Sequence, residues 1–131
     1  EGLKRQVVFD LIKKITSKEK TITMKGTILD AREMMCVKDL VKIFLLIIKS
    51  KIKTGIYNVG TNKQIKIIDV INYLNKKEKK RKKVIFTNEF KFPNFAKLDV
   101  VKINKTLKIK IKFDFFKDLD MTMKYWKNTR L

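Results

Sequence analysis

Apolar residues in this chain recur at helix spacing in some stretches and at strand spacing in others, and that alternation limits the fold more than any other feature. Val7, Val8, Leu11, Ile12 and Ile15 follow helical spacing, with Lys13, Lys14 and Lys18 on the other side. "TITMKG" (21–26) alternates and ends on glycine, which predicts a short strand and a turn. "REMMCV" (32–37) predicts a second strand, with Arg32, Met34 and Cys36 on one side and Glu33, Met35 and Val37 on the other. Asp39 is placed to cap a helix over Leu40 to Lys49. That helix is apolar on nearly every side, as expected of an element enclosed by neighbours.

"GIYNVG" (55–60) reads as a buried strand, and "IIDVINYLNKK" (67–77) as an amphipathic helix through Ile67, Val70, Ile71 and Leu74. "VIFT" (84–87) is a further strand, and 88–99 an ordered loop. Asp99 opens a short helix with Val100, Ile103 and Leu107. The last helix carries the stripe Phe116, Leu119, Met123 and Trp126. Helix and strand alternating in this order imply α/β packing, in one segment over residues 1–131 with no flexible linker inside it.

Charge enters as a question about partners. Basic residues number 33 against 13 acidic, a net charge of +20. Taken alone this suggests nucleic acid or an anionic surface. Yet only Arg5, Arg32, Arg81 and Arg130 are arginines. Lysine, isoleucine, asparagine and phenylalanine, all abundant here, share A/T-rich codons. A composition bias therefore accounts for much of the charge, and a nucleic-acid surface would favour the planar guanidinium. The Lys76–Lys83 run reads as a solvated face. With no histidine and Cys36 as the one cysteine, zinc chemistry, a disulfide framework within these residues and histidine-activated nucleophiles are excluded. The longest apolar run, Ile43 to Ile48, is far short of the ~20 residues that span a bilayer. No signal-peptide pattern opens the chain, so the expected setting is cytoplasmic.

The motifs carry a family likeness. Arg32-Glu33-Met34-Met35-Cys36-Val37-Lys38-Asp39 precedes an apolar helix, then come Tyr57-Asn58-Val59-Gly60, Asp99-Val100-Val101-Lys102 and Trp126. In this order and spacing they resemble the carboxy-terminal portion of NAD(P)-dependent nucleotide-sugar epimerases and dehydratases, the extended short-chain dehydrogenase/reductase family. The resemblance implies the substrate-binding part of a Rossmann-type α/β enzyme, working with NAD or NADP held by an amino-terminal dinucleotide-binding domain. The glycine-rich turn of that domain is not found in these 131 residues. Nor is the family's catalytic Tyr-x-x-x-Lys set: Tyr73 and Lys77 have the spacing by coincidence, on the amphipathic helix.

The resemblance also implies roles. Arg32 would reach the diphosphate of a nucleotide sugar, a task suited to a group that stays charged and bonds two oxygens at once. Its alternative is an ion pair with Glu33 or Asp30 at a sheet edge. Met24, Lys25 and Gly26 would approach the nucleotide base, or form a plain turn. Lys91, in Asn88-Glu89-Phe90-Lys91-Phe92-Pro93, would stand for an arginine that many relatives carry, as a point charge without the two-pronged grip. Asn58 would approach substrate or satisfy nearby backbone groups. Relatives are often dimers through helices outside this segment. A different class of reading is a stand-alone lysine-rich module for nucleic acid or other polyanions, whose binding would weaken steeply with salt.

Overall fold

The computed structural model describes residues 6–89, 95–108 and 112–129. Helix α1 (Val7–Thr16) leads to β1 (Thr21–Met24) and β2 (Ala31–Glu33), then α2 (Val37–Lys49), β3 (Gln64–Lys66) and α3 (Ile67–Lys77). Strands β4 (Lys83–Phe86) and β5 (Phe95–Ala96) follow, then α4 (Val101–Leu107) and α5 (Phe115–Thr129). Strands β1 and β4 pair, and β3, β2 and β5 form a second small sheet in that order. The chain separates into two compact units, each built from two distant stretches: 1–31 with 65–95, and 32–64 with 96–131.

In the first unit two helix-then-strand pieces, α1–β1 and α3–β4, come together. Strands β1 and β4 run parallel, with Ile22 opposite Val84 and Met24 opposite Phe86. Leu11, Ile12 and Ile15 of α1 and Ile67, Val70, Ile71 and Leu74 of α3 are buried, as their spacing predicts. Apolar burial at ~25 cal/mol per Å2 is the main force holding these elements together.

The lysine run is not wholly solvated, because Lys82 is buried. Its Nζ donates to the carbonyls of Lys14 (2.7 Å) and Ser17 (2.9 Å) and lies 3.0 Å from Ser17 Oγ. These carbonyls close α1, where a cation meets the negative helix end, and the Lys14 carbonyl also accepts the Ser17 hydroxyl at 2.8 Å. Burial, then the nearby charge of Lys80, pulls the Lys82 pKa below the ordinary lysine value. A Lys82→Met change keeps the apolar stem and removes the donor, so unfolding in urea should show a loss of about 1–3 kcal/mol.

In the second unit Ile43, Val100 and Ile103 form a buried cluster. Met35, Ile47, Tyr57, Val59, Leu107 and Phe113 pack against it. Two expectations fail here. Helix α2 is not enclosed: Val37, Val41, Phe44, Leu45 and Ile48 are exposed, Ile48 by 79%. Residues 55–60 are no buried strand either. They belong to no strand, and Ile56 is 88% exposed while Tyr57 and Val59 turn to the core. Period reveals which residues share a side, not whether anything covers that side.

Smaller differences have local causes. Strand β2 stops at Glu33, before the predicted Met34–Val37. Helix α2 starts at Val37, so Asp39 lies in its first turn rather than at the cap, and there it pairs with Lys42 at 2.8 Å. Asp99 does serve the start of α4: its Oδ1 accepts the Val101 N–H at 2.9 Å. Lys77 Nζ sits 5.3 Å from the centre of the Tyr73 ring, a cation–π contact one turn apart on α3.

Candidate functional site

Met24 and Lys25 line a cavity of about 880 Å3 in the first unit, with Val7, Asp10, Lys14, Thr23, Thr87 and Glu89. The floor is fixed by backbone bonds that continue the β1–β4 pairing. The Thr87 N–H donates to the Met24 carbonyl (3.0 Å) and the Asn88 N–H to the Gly26 carbonyl (2.9 Å). Gly26 is buried and has φ 103°, a conformation that L side chains rarely adopt, so the turn requires glycine. Lys14 Nζ donates to the Thr23 carbonyl at 3.0 Å and pairs with Asp10 at 2.9 Å. Lys25 and Glu89 form a longer pair across the rim, at 3.5 Å. Lys25 is mostly exposed, so this pair is weak and an incoming anion can replace Glu89 at small cost.

Arg32 and Asn58 belong to the second unit, and Lys91 lies outside the described residues. Arg32 is half-buried on β2. Its neighbour Glu33 is the residue whose importance the sequence reading missed. Glu33 Oε1 accepts the N–H groups of Thr61 and of Asn62, the latter at 2.8 Å, while Oε2 accepts the Leu98 N–H at 2.8 Å. The Thr61 hydroxyl adds a contact at 3.3 Å. Burial of the carboxyl raises its pKa, but the Leu98, Asn62 and Thr61 N–H groups outweigh that and hold it below the ordinary glutamate value.

This clasp explains Gly60. A Cβ there would fall on the Glu33 carboxylate and 3.3 Å from Leu98 Cδ1. The carboxylate is held by backbone donors and cannot easily yield. The rest of the Tyr-Asn-x-Gly motif is tied to Asp-x-x-Lys. Asn58 Nδ2 donates to the Asp99 carbonyl at 3.1 Å, so Asn58 does satisfy backbone. Lys102 Nζ donates to the Ile56 carbonyl at 2.8 Å and lies 4.4 Å from the centre of the Tyr57 ring. The two motifs hold each other. The signal was available in the sequence only as their joint presence.

Residues 1–60 match the model of the NAD dependent epimerase/dehydratase family. This stretch holds Met24, Lys25, Gly26, Arg32 and Asn58, and the resemblance read from the motifs is borne out. Epimerase/dehydratase structures share the fold. UDP-glucuronic acid 4-epimerase from Bacillus cereus, solved with UDP-glucuronic acid and NAD, is 21% identical at a TM-score of 0.79, over 95% of this chain and 40% of that one. UDP-N-acetylglucosamine 4-epimerase from Methanobrevibacter ruminantium M1, solved with UDP-N-acetylmuramic acid, is 20% identical with a TM-score of 0.80, covering 94% and 39%. RMD from Pseudomonas aeruginosa, complexed with NADPH, is 13% identical with a TM-score of 0.81, covering 94% and 43%. The chain thus spans about two-fifths of the length of these structures. No curated protein matches it in sequence. The architecture is the α/β fold of extended short-chain dehydrogenases, and among the described residues no helix is long and apolar enough to cross a membrane.

Proposed function

We propose that this chain is the nucleotide-sugar-binding portion of an NAD(P)-dependent epimerase, dehydratase or reductase, and that it does not catalyse alone. The family match over residues 1–60, which contains every proposed binding residue except Lys91, is the observation that carries this reading. In it, an amino-terminal Rossmann domain holds NAD or NADP and supplies the reacting groups. These 131 residues supply the grip on the substrate.

The chemistry of the parts supports that division. Arg32 offers a permanent charge and parallel donors for a diphosphate. Because the next residue, Glu33, is bound to three backbone N–H groups, the end of β2 is fixed and the guanidinium is carried on a rigid base. Met24, Lys25 and Gly26 give a cavity wall with an apolar side chain and a displaceable cation, suited to a nucleotide base and its neighbouring phosphate. Lys91 adds positive charge, and Asn58 acts by holding the Tyr57–Gly60 segment in place.

The deciding experiment uses the intact enzyme, including the polypeptide encoded ahead of Glu1. Arg32→Ala should weaken UDP and UDP-sugar binding by calorimetry about 10- to 100-fold, the worth of one charged hydrogen-bond pair. NAD(H) binding should be unchanged. Unchanged UDP affinity would remove the reading's central residue. Tight binding of nucleic acid that collapses between low and moderate salt would instead favour the polyanion module.

A further inference from the structure

Residues 17–20 lead from α1 into β1, residues 76–83 run from the end of α3 into β4, and the two stretches lie side by side. Buried Lys82 ties them through its bonds to the Lys14 and Ser17 carbonyls and to Ser17 Oγ. The Lys83 N–H adds a bond to the Lys20 carbonyl at 3.0 Å. The second stretch is ordered by its own backbone: the Lys79 N–H donates to the Lys76 carbonyl at 3.2 Å and the Lys80 N–H to the Asn75 carbonyl at 2.8 Å. Lys79 has φ 51°, the left-handed conformation that closes many helices and that glycine usually takes.

This arrangement crowds positive charge. Eight exposed basic side chains, Lys18 and Lys20 in the first stretch and six in the second, stand against Glu19 and Glu78. Seven of the eight residues 76–83 are basic, whereas 33 of 131 are in the whole chain, so a bias that spreads lysine along the sequence does not account for this density. Burial, then the charge of Lys80, lowers the Lys82 pKa, so the crowding is unfavourable until an anion offsets it. Strands β1 and β4 run parallel from Thr21 and Lys83 to Met24 and Phe86. The charge therefore gathers at their starting ends. The cavity with Met24, Thr87 and Glu89 lies at their finishing ends, about 10 Å of strand away.

The chemistry of this surface selects its partner. None of the exposed large apolar residues falls within 17–20 or 76–83, and a protein interface is built around an apolar centre. A nucleic acid is gripped through arginine forks and stacked aromatic rings. Arg81 is the one arginine in either stretch, and Tyr73, one turn back on α3, already carries Lys77. Lysine, a point charge on a flexible stem, suits a diffuse layer of negative charge, and clusters of about four to eight basic side chains are drawn to anionic lipid. We propose that the two joined turns form a docking surface for a membrane rich in anionic headgroups. It holds the protein at the bilayer by charge, with the cavity of the first unit directed away from the lipid.

The test uses the intact protein, including the polypeptide encoded ahead of Glu1, in sedimentation with vesicles. Mixed phosphatidylserine and phosphatidylcholine vesicles should capture it at low salt and release it as salt rises, and pure phosphatidylcholine should not bind it. The fourfold change Lys18→Gln, Lys20→Gln, Lys80→Gln and Arg81→Gln, all at exposed positions, should weaken capture about 100-fold or more, at about fivefold per charge. The fourfold control Lys105→Gln, Lys112→Gln, Lys117→Gln and Lys124→Gln removes the same charge from exposed positions of the second unit. It should weaken capture by no more than about threefold, because charges beyond the screening length contribute little. NAD(H) and UDP-sugar binding should be unchanged in both. Should the first variant fold poorly, the pair Lys80→Gln and Arg81→Gln carries the test, with a loss of about 25-fold. Equal losses in the two fourfold variants would overturn the proposal, since total charge rather than this surface would then attract the lipid. Failure of the phosphatidylserine vesicles to capture the intact protein would overturn it as well. Tighter binding of double-stranded RNA than of vesicles, lost in the first variant, would overturn it in favour of a nucleic acid.

Discussion

Glu33→Ala is expected to cost the protein about 2–4 kcal/mol, because one carboxylate serves three backbone donors at once. Thr61 is buried, so its N–H has little access to replacement water, whereas Asn62 and Leu98 are exposed and recover part of their loss. Glu33→Gln should cost less, since its carbonyl can still accept from the Thr61–Asn62 turn while its amide confronts the Leu98 N–H. The charge also has a pH signature. The folded-state pKa lies below the ordinary 4.5, so the unfolded chain binds the proton more readily between those two values. Stability from this group is complete above 4.5 and is lost as pH falls through the lower, folded value. Urea titrations across that acid window should show a slope in the parent protein that shrinks in Glu33→Gln. An identical slope in both would place the carboxylate outside the clasp.

The other large effect lies in the first unit. Leu74 is fully buried on α3, and Leu74→Ala should cost about 2–5 kcal/mol through lost burial and the cavity left behind. Ile48 on α2 is as apolar and as well placed on a helix, yet Ile48→Ala should change the stability of the 131-residue chain by under about 0.5 kcal/mol. Paired urea midpoints check both values. Equal losses at the two positions would mean that α2 is covered in solution.

That pair also marks what could be read from the sequence. The helices α1, α3, α4 and α5 and the strands β1 and β4 follow the apolar period, because each packs against partners within the chain. Along the outer side of α2 and at Ile56, which the described residues leave exposed, the same pattern predicts burial that does not occur. The short strands β3 and β5 carry too few residues to establish any period. Side-chain roles were legible where a motif stated them, as with Asn58 and Asp99. They were hidden where a charged residue had gone inward, as with Glu33 and Lys82, since nothing local distinguishes such a residue from its solvated neighbours.

Each compact unit is assembled from an early and a late stretch of the chain. A nascent polypeptide released only as far as residue 60 holds β1 without β4, and Ile43 and Tyr57 without Val100 and Ile103. Neither half-core can close at that stage, so the segment that most clearly bears the family's mark depends for its shape on residues made after it.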